Sequence, residues 1–236
     1  MVPAGDSLVA VTSREAAAII VYDRLGRVVD TLGQGVLQSP AHLQIMGADW
    51  YVSDLRDGRP VVVVLGRDGA VRRTVPVGDV AAHAHQFAVL PDGAVVVESR
   101  DGRLAALRGD SAATFAAVEI GPRPSLLLGA GGGVLHAVPD RHITLYNGFG
   151  NIRWRIDWPW AATAYIGDLS QDRRGRIHAL AGVEATNTFI AYTFEEGTGE
   201  IIRWSDETAA GSFLVDRLGE IVPAEGRWMG NVKREK

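Results

Sequence analysis

The sequence predicts an all-β protein made of one repeated four-stranded unit. Turns that contain glycine fall into two kinds, and each kind returns about every 40 to 50 residues along the chain, a period that is typical of repeat architectures. Short apolar runs rich in β-branched and aromatic residues separate the turns, as expected for β-strands. The turn glycines of the first kind are Gly26, Gly69, Gly109, Gly148 and Gly197, and those of the second are Gly47, Gly93, Gly132, Gly175 and Gly219.

The segment from Ala18 to Val75 shows how the residues specify one unit. Residues 19–22 form an apolar run that predicts a strand, and residues 23–26 predict a turn, because Asp can bond its own backbone and Gly can adopt a positive φ. Residues 27–32 alternate polar and apolar side chains, which indicates a half-exposed outer strand. Residues 61–65 are wholly apolar, which indicates a strand that is buried on both faces.

Such units are expected to assemble around a common axis. A small antiparallel meander cannot bury both of its faces alone, but in a ring each meander packs on two neighbours and only short edges stay exposed. A β-sandwich would need turns every 8–12 residues without the longer repeat, and a β-helix has a much shorter repeat. The sequence therefore predicts a β-propeller of four-stranded antiparallel blades.

A resemblance to a known family supports the same fold. The segment IIVYDRLGRVVDTLGQGVLQSPAHLQIMGADWYVSD resembles an NHL-type repeat, which has a D-x-x-G hairpin, a Gly-rich loop, an s-P-x-x-I segment and a final Y-V-s-D. Looser copies such as FAVLPDGAVVVESRDGRLAAL and LSQDRRGRIHALAG extend this pattern over most of the chain. NHL-type repeats build propellers that usually have six blades. The family includes lyases, lactonases, scaffolds and protein-binding modules, so the resemblance implies a fold more than an activity.

The number of blades depends on how the two ends are used. Four complete units span residues 41–79, 85–120, 124–157 and 168–206. The N-terminal region supplies three strands, and the C-terminal region supplies a first strand at residues 212–215 and further strands after it. If that first strand completes the N-terminal blade, there are five blades. We expect six, because the residues after Gly219 would otherwise be surplus, within one domain of residues 1–236 whose ends close or nearly close the ring.

Composition limits the classes of partner and location. The net charge of −4 and the pI of 5.9 argue against nucleic acid. The chain has no cysteine, which excludes disulfides, thiolate metal sites and a Cys nucleophile. It has no apolar stretch long enough to span a membrane, and no signal peptide is visible at the start. We therefore expect a soluble protein, and the family resemblance favours a periplasmic or secreted location.

The residues that precede each first strand are the candidate binding residues. In a propeller these positions form one mouth of the central channel. Alignment of the units on their turns predicts that residues from different blades converge there. The predicted channel-mouth residues are His42, His85, Gln86, Asp168 and Ser212.

Histidines at the mouth also raise the question of a divalent metal. Imidazole and carboxylate groups from several elements are the ligands of zinc and calcium sites. In the amidating lyases, which the chain resembles through its repeats, zinc is held by one histidine per blade, and His85 matches such a position. His83 and His85 are the first candidates, since i, i+2 spacing on an extended segment puts both on one face. The alternative is a hydrated polar mouth without metal. His136 and His178 occupy equivalent positions on the predicted second strands of two units, which predicts that they have the same packing role in each.

A tryptophan-rich segment, NIRWRIDWPW, is the second candidate surface. Trp158 and Trp160 next to Arg155 have the composition of an interface hot spot. The alternative is that these tryptophans fill the seam between adjacent blades.

Together these features favour a non-enzymatic binding or scaffold module with no cofactor. It would hold a protein partner or a small ligand at the channel mouth or on the Trp-bearing segment, and it would fit as a subunit of a larger complex. The chain lacks the Gly-x-Ser-x-Gly motif of serine hydrolases and the E-G-P segment of gluconolactonase-like propellers. The alternative function is a metal-dependent lyase or lactone hydrolase that uses the polar residues of the channel.

Overall fold

The computed structural model describes residues 2–4, 8–23, 25–83, 85–109, 111–158, 164–172, 174–205, 213–215, 221–223 and 228–229. Within these residues all regular secondary structure is β-strand. None of the described segments is a helix of the length and apolar character that a membrane crossing requires.

Most of the strands belong to five antiparallel meanders, which are the blades of a β-propeller. Blade 1 contains β1 (Val2–Pro3), β2 (Val9–Ser13), β3 (Ala18–Tyr22) and β4 (Val28–Leu32). Blade 2 contains β5 (Leu43–Met46), β6 (Asp49–Arg56), β7 (Arg59–Leu65) and β8 (Val71–Pro76). Blade 3 contains β9 (Ala88–Val89), β10 (Val95–Ser99), β11 (Arg103–Arg108) and β12 (Ser111–Ala117). Blade 4 contains β13 (Leu126–Ala130), β14 (Gly133–Val138), β15 (His142–Tyr146) and β16 (Ile152–Asp157). Blade 5 contains β17 (Ala164–Gln171), β18 (Ile177–Val183), β19 (Thr188–Phe194) and β20 (Ile201–Ser205).

The expectation of six blades is wrong, because the described residues form five. Blade 1 takes its inner strand from Val2–Pro3, which pairs with β2, and not from the C-terminal region. The C-terminal strand β21 (Phe213–Val215) pairs instead with β22 (Ile221–Pro223) in a two-stranded hairpin. The last strand, β23 (Trp228–Met229), pairs with β20 at the outer edge of blade 5. The residues that suggested a sixth blade are thus used as a hairpin and an edge strand.

The apolar core is divided among the seams between consecutive blades. Between blades 1 and 2, for example, Ile19 and Leu32 belong to the same buried cluster as Trp50 and Val63. Further clusters join blades 2 and 3, blades 3 and 4, and blades 4 and 5. The inner strands contact one another in the order β1, β5, β9, β13 and β17. Each blade therefore buries its apolar faces against its neighbours, as the repeat predicts.

The predicted turn chemistry is confirmed. At the hairpin after β3, Asp23 Oδ1 accepts hydrogen bonds from the N–H groups of Leu25 and Arg27, and Gly26 has a φ of 72°. The turn after β17 repeats this arrangement, with Asp172 Oδ1 accepting from Arg174 and Arg176 and with Gly175 at a φ of 79°. Aspartate caps the turn and glycine takes the left-handed conformation that a side chain would strain.

A register shift between the third and fourth strands recurs in all five blades. Such a β-bulge increases the local right-handed twist and turns the outer strand away from its neighbour. The shifts occur at Val21/Tyr22, Val64/Leu65, Leu104/Ala105, Leu145/Tyr146 and Thr193/Phe194.

One buried side chain, Gln44 on β5, joins the inner strands of three blades. Its Oε1 accepts hydrogen bonds from the N–H groups of Gly129 (3.0 Å) and Val89 (3.3 Å). Its Nε2 donates to the carbonyl oxygens of Phe87 (2.5 Å) and Leu127 (3.3 Å). A single carboxamide therefore satisfies backbone groups on blades 3 and 4 that would otherwise be buried without partners.

The approach of β13 to β9 requires glycine at position 129. A Cβ at Gly129 would overlap the carbonyl oxygen of Val89 and crowd Gln44 Oε1. Because backbone atoms cannot move aside as a flexible side chain can, any larger residue would push the two strands apart and weaken the bonds to Gln44.

Blade 5 contains a second buried polar network, centred on Asp172 and His178. His178 Nε2 lies 3.2 Å from Asp172 Oδ2, and its Nδ1 lies 3.1 Å from Thr193 Oγ1. His136 of blade 4 occupies the matching place, since it faces Thr144 across the sheet as His178 faces Thr193. Both imidazoles are fully buried, which confirms the predicted packing role of the two histidines.

Gly129→Ala is expected to lower the free energy of unfolding by about 1–3 kcal/mol, the usual effect of overpacking a tight interior. Gly197→Ala is the matched control, because Gly197 has no atom within 4 Å of its Cβ position. Urea unfolding followed by tryptophan fluorescence measures both. Equal stabilities for the two variants would contradict the close approach at Gly129.

Stability is expected to fall as the pH drops from about 4 towards 2, because of Asp172. Burial alone would raise the pKa of Asp172, but its hydrogen bonds with His178 and Arg176 lower the pKa from 3.8 to about 2. A carboxyl whose pKa is depressed on folding stabilises the protein above its unfolded pKa and loses this effect on protonation, here roughly 2 kcal/mol.

Urea unfolding at a series of pH values tests this expectation with Asp172→Asn. The variant should be less stable at neutral pH and should lose less stability on acidification than the wild type. Asp68→Asn is the control, because Asp68 makes the same i, i+4 pair with Arg72 at an exposed turn. An identical pH profile for wild type and Asp172→Asn would contradict the assignment.

Candidate functional site

A cavity of about 340 Å³ lies among the inner strands of blades 1, 2, 4 and 5. None of the described residues of blade 3 lines it, because Gln44 holds β9 and β13 close to β5 on that side of the channel. The polar lining residues are Thr12, His42, Gln44, Asp168, Ser170, Gln171 and Asp172. The apolar lining includes Val2, Leu43, Ile45, Met46, Leu128 and Leu169.

The structure places two of the five predicted channel-mouth residues on this cavity. His42 and Asp168 both line it, although they come from blades 2 and 5. His85 and Gln86 precede the inner strand of blade 3 and are not among the lining residues. Ser212 lies outside the described residues.

His42 is a neutral hydrogen-bonding group at neutral pH. Burial lowers its pKa to about 4, and the charge of His85 acts in the same direction. Its Nε2 lies 3.0 Å from Gln44 Nε2. The two N–H groups of the Gln44 amide are therefore shared among three neighbours, namely His42 Nε2 and the carbonyl oxygens of Phe87 and Leu127. The ring also makes an edge contact with Phe87, with centroids 5.1 Å apart.

His83 and His85 have different surroundings. His83 Nε2 is 3.8 Å from Glu98 Oε1 within blade 3. The pKa of His85 is lowered by burial and then by the charge of Arg14, whereas Asp54 opposes the shift. His85 Nδ1 is buried and has no hydrogen-bond partner among the described residues. Gln86 Oε1 accepts a long bond from the Leu127 N–H, at 3.5 Å, and so links blades 3 and 4.

Asp168 reaches the cavity through a bulge in β17. The pairing of β17 with β18 shifts between Ile166 and Asp168, which leaves Gly167 unpaired and changes the direction of the strand. The Asp168 carboxylate is accessible to water but surrounded by protein, and this partial desolvation raises its pKa. Its Oδ1 accepts a hydrogen bond from the N–H of Leu169, at 2.8 Å.

Several polar lining residues were not foreseen from the sequence, among them Gln171 and Asp172. Gln171 Nε2 donates to the carbonyl oxygen of Gly175 (3.1 Å) and to Glu196 Oε2 (2.9 Å). Asp172 is committed to Arg176 and His178, as described above. Both residues follow Asp168 closely in the sequence. The polar run before the turn at Gly175 could therefore have indicated that more than one polar side chain of this segment lines the cavity.

A second polar cluster, also unforeseen, is buried between blades 3 and 4. Glu98 Oε2 lies 2.9 Å from His136 Nε2. Burial opposes ionisation of Glu98, but hydrogen bonds with His136 and Ser125 bring its pKa below the usual value. The sequence signal was a charged residue in the otherwise apolar run of β10. Three other buried atoms in this region make no hydrogen bond to any described residue, namely His136 Nδ1, His142 Nδ1 and Thr144 Oγ1.

The histidines predicted as metal ligands do not form a metal site with other side chains in the described part of the chain. There, no three His, Asp or Glu side chains are placed to hold one ion together. Chemically, the cavity offers hydrogen-bond donors and acceptors, the neutral imidazole of His42 and the carboxylate of Asp168, which forms no ion pair with a described side chain.

The proposed tryptophan interface is not supported at Trp158. Trp158 is only 3% exposed and packs edge-on against Tyr192 of blade 5, with ring centroids 5.2 Å apart. It fills the seam between blades 4 and 5, because a large apolar side chain gains more from burial than from contact with water. Arg155 is exposed and lies near Asp157 and Glu119. Trp160 lies outside the described residues.

Comparisons with known proteins find similarity of structure but not of sequence. No family model matches the chain, and no curated protein matches its sequence. A chain in the crystal structure of the nidogen/laminin complex is 14% identical, with a TM-score of 0.59, and the match covers 88% of this chain and 77% of that one. A chain in the crystal structure of BBS1N in complex with ARL6DN is 16% identical, with a TM-score of 0.55 over 90% of this chain and 67% of that one.

An enzyme is among the similar structures. Catalytically inactive H270A virginiamycin B lyase from Staphylococcus aureus, solved with quinupristin, is 11% identical, with a TM-score of 0.50 over 92% of this chain and 80% of that one. At these identities the likeness concerns the fold alone. Together with the five blades of the structure, the comparisons show that the chain is a β-propeller.

Proposed function

We propose that this protein is a non-enzymatic binding module, an NHL-like propeller of one domain whose partner engages the mouth of the central cavity. The observation that carries the proposal is the cavity itself. About 340 Å³ of space is lined by side chains from four blades, and it includes His42 and Asp168. A concave site with a few converging polar groups is the usual form of a ligand-binding site.

The chemistry of the lining favours binding over catalysis. Gln44 uses its carboxamide to hold backbone groups, and Gln171 and Asp172 are bonded to the turn beside them. His42 is neutral and bonded to Gln44. This leaves no nucleophile activated by a base among the described lining residues, and such a pair is the mark of covalent catalysis.

The similar structures support a role in protein recognition. Two of the chains that share this fold come from complexes, one of nidogen with laminin and one of BBS1N with ARL6DN. By this analogy we propose that the partner is a protein and that the propeller is the rigid subunit of an assembly, with His85 and Gln86 at the rim.

Site-specific photocrosslinking tests this function. A benzophenone amino acid at position 41, beside His42 and on the cavity lining, is expected to give one defined adduct in cells that produce the protein. The same amino acid at position 72, on the exposed outer strand β8, is the control and should give none. Mass spectrometry of the adduct identifies the partner.

Two results would contradict the proposal. One is crosslinking that is absent at position 41 or equally strong at both positions. The other is a stoichiometric divalent metal in the purified protein that is lost in His85→Ala, since this would favour the metal-dependent lyase or lactone hydrolase.

A further inference from the structure

The charges on the cavity lining do not balance. Of the described residues that line the cavity, only His42, Asp168 and Asp172 have side chains that ionise near or below neutral pH. His42 carries no charge at pH 7, because its pKa is about 4. The two carboxylates therefore decide the electrostatic character of the site.

The two carboxylates differ in whether a cationic side chain is paired with them. The charge of Asp172 is compensated by Arg176, whose Nη2 lies 2.6 Å from Asp172 Oδ2, and the same oxygen lies 3.2 Å from His178 Nε2. Asp168 makes no ion pair with a side chain of the described residues, and its hydrogen bond comes from the N–H of Leu169. A carboxylate has room for about four hydrogen bonds. Asp168 therefore keeps most of its acceptor capacity for a ligand.

The rest of the lining suits the other parts of a small cationic ligand. Hydroxyl groups of Thr12 and Ser170 can accept hydrogen bonds from an ammonium or guanidinium group. Ile45, Met46 and Leu128 offer an apolar wall against which an aliphatic stem can pack. The volume is at the lower end of the range of about 300 to about 1,000 Å³ that is usual for ligand pockets. One side chain or one small molecule is the fitting size of occupant.

We propose that the cavity binds a primary ammonium or guanidinium group on a short aliphatic stem, paired with the Asp168 carboxylate. The group belongs either to a lysine or arginine side chain of the partner or to a free small amine. This inference rests on the proposed function, because it names the chemistry recognised at the same mouth. A charged hydrogen bond of this kind compensates a carboxylate that makes no ion pair with the described side chains.

The test is an NMR titration of the full chain. The probes are N-acetyl-lysine methylamide, n-butylammonium chloride and the neutral N-acetyl-norleucine methylamide. The reporters are the side-chain amide of Gln44 and the backbone N–H of Gly129, both at the cavity. The protein is acetylated at its amino terminus, so that the terminal ammonium cannot compete with the cationic probes. The variants are Asp168→Asn and, as the matched control, Asp157→Asn on the outer strand β16.

Both cationic probes should shift the reporters of the wild type, and the norleucine probe should not. Asp168→Asn should weaken the binding of the cationic probes about tenfold or more, while Asp157→Asn leaves it unchanged. Tighter binding of the lysine probe than of n-butylammonium supports a partner side chain as the source, and equal binding supports a free amine.

Equal binding of the norleucine probe, undiminished binding to Asp168→Asn, or no shift by either cationic probe overturns the inference. If Asp168→Asn fails to fold, the comparison of the lysine and norleucine probes on the wild type still tests whether the cavity prefers a cationic ligand. A partner that crosslinks at position 41 while the cationic probes do not bind would overturn this inference and leave the proposed function standing.

Discussion

The geometry of the channel depends on the buried carboxamide of Gln44. Inner strands of a propeller expose backbone groups to the axis, and buried N–H and C=O groups must find partners. Gln44 supplies four of these bonds at once, to Phe87, Val89, Leu127 and Gly129. The absence of a side chain at Gly129 lets the strands approach closely enough for the bonds to form. The positions of three inner strands therefore depend on the side chain of Gln44 and on the absence of one at Gly129.

The position of the cavity follows from that bridge. Because Gln44 holds blades 2, 3 and 4 together on one side, the open space lies towards blades 1 and 5, where Thr12 and Asp168 line it. The polar groups of the structure then divide into two sets. The Asp172–His178 network and the Glu98–His136 pair are buried and stabilise blades or seams. Asp168 differs, because its carboxylate is open to the cavity and no described side chain forms an ion pair with it.

The fold was largely predictable from the sequence because it depends on local features. Aspartate and glycine at fixed places specify each hairpin, and apolar runs such as Val61–Leu65 specify buried strands. The blade count was not predictable, since it depends on the pairing of Val2–Pro3 with β2, and two residues carry no strand pattern. In the site, alignment of the repeats found His42 and Asp168. It missed Gln44 and Glu98, because their partners lie on other blades and sequence spacing does not show which long side chains cross a seam.

Amide hydrogen exchange in Gln44→Leu tests the central claim most directly. If the carboxamide joins the inner strands, the N–H groups of Val89 and Gly129 should lose about tenfold or more of their protection, since removing a buried hydrogen-bond partner costs about 1–3 kcal/mol. Gln171→Leu is the control, because Gln171 lines the same cavity but, among the described residues, bonds to Gly175 and Glu196 and not to Val89 or Gly129. Protection at Val89 and Gly129 that is the same in wild type and Gln44→Leu would contradict the account.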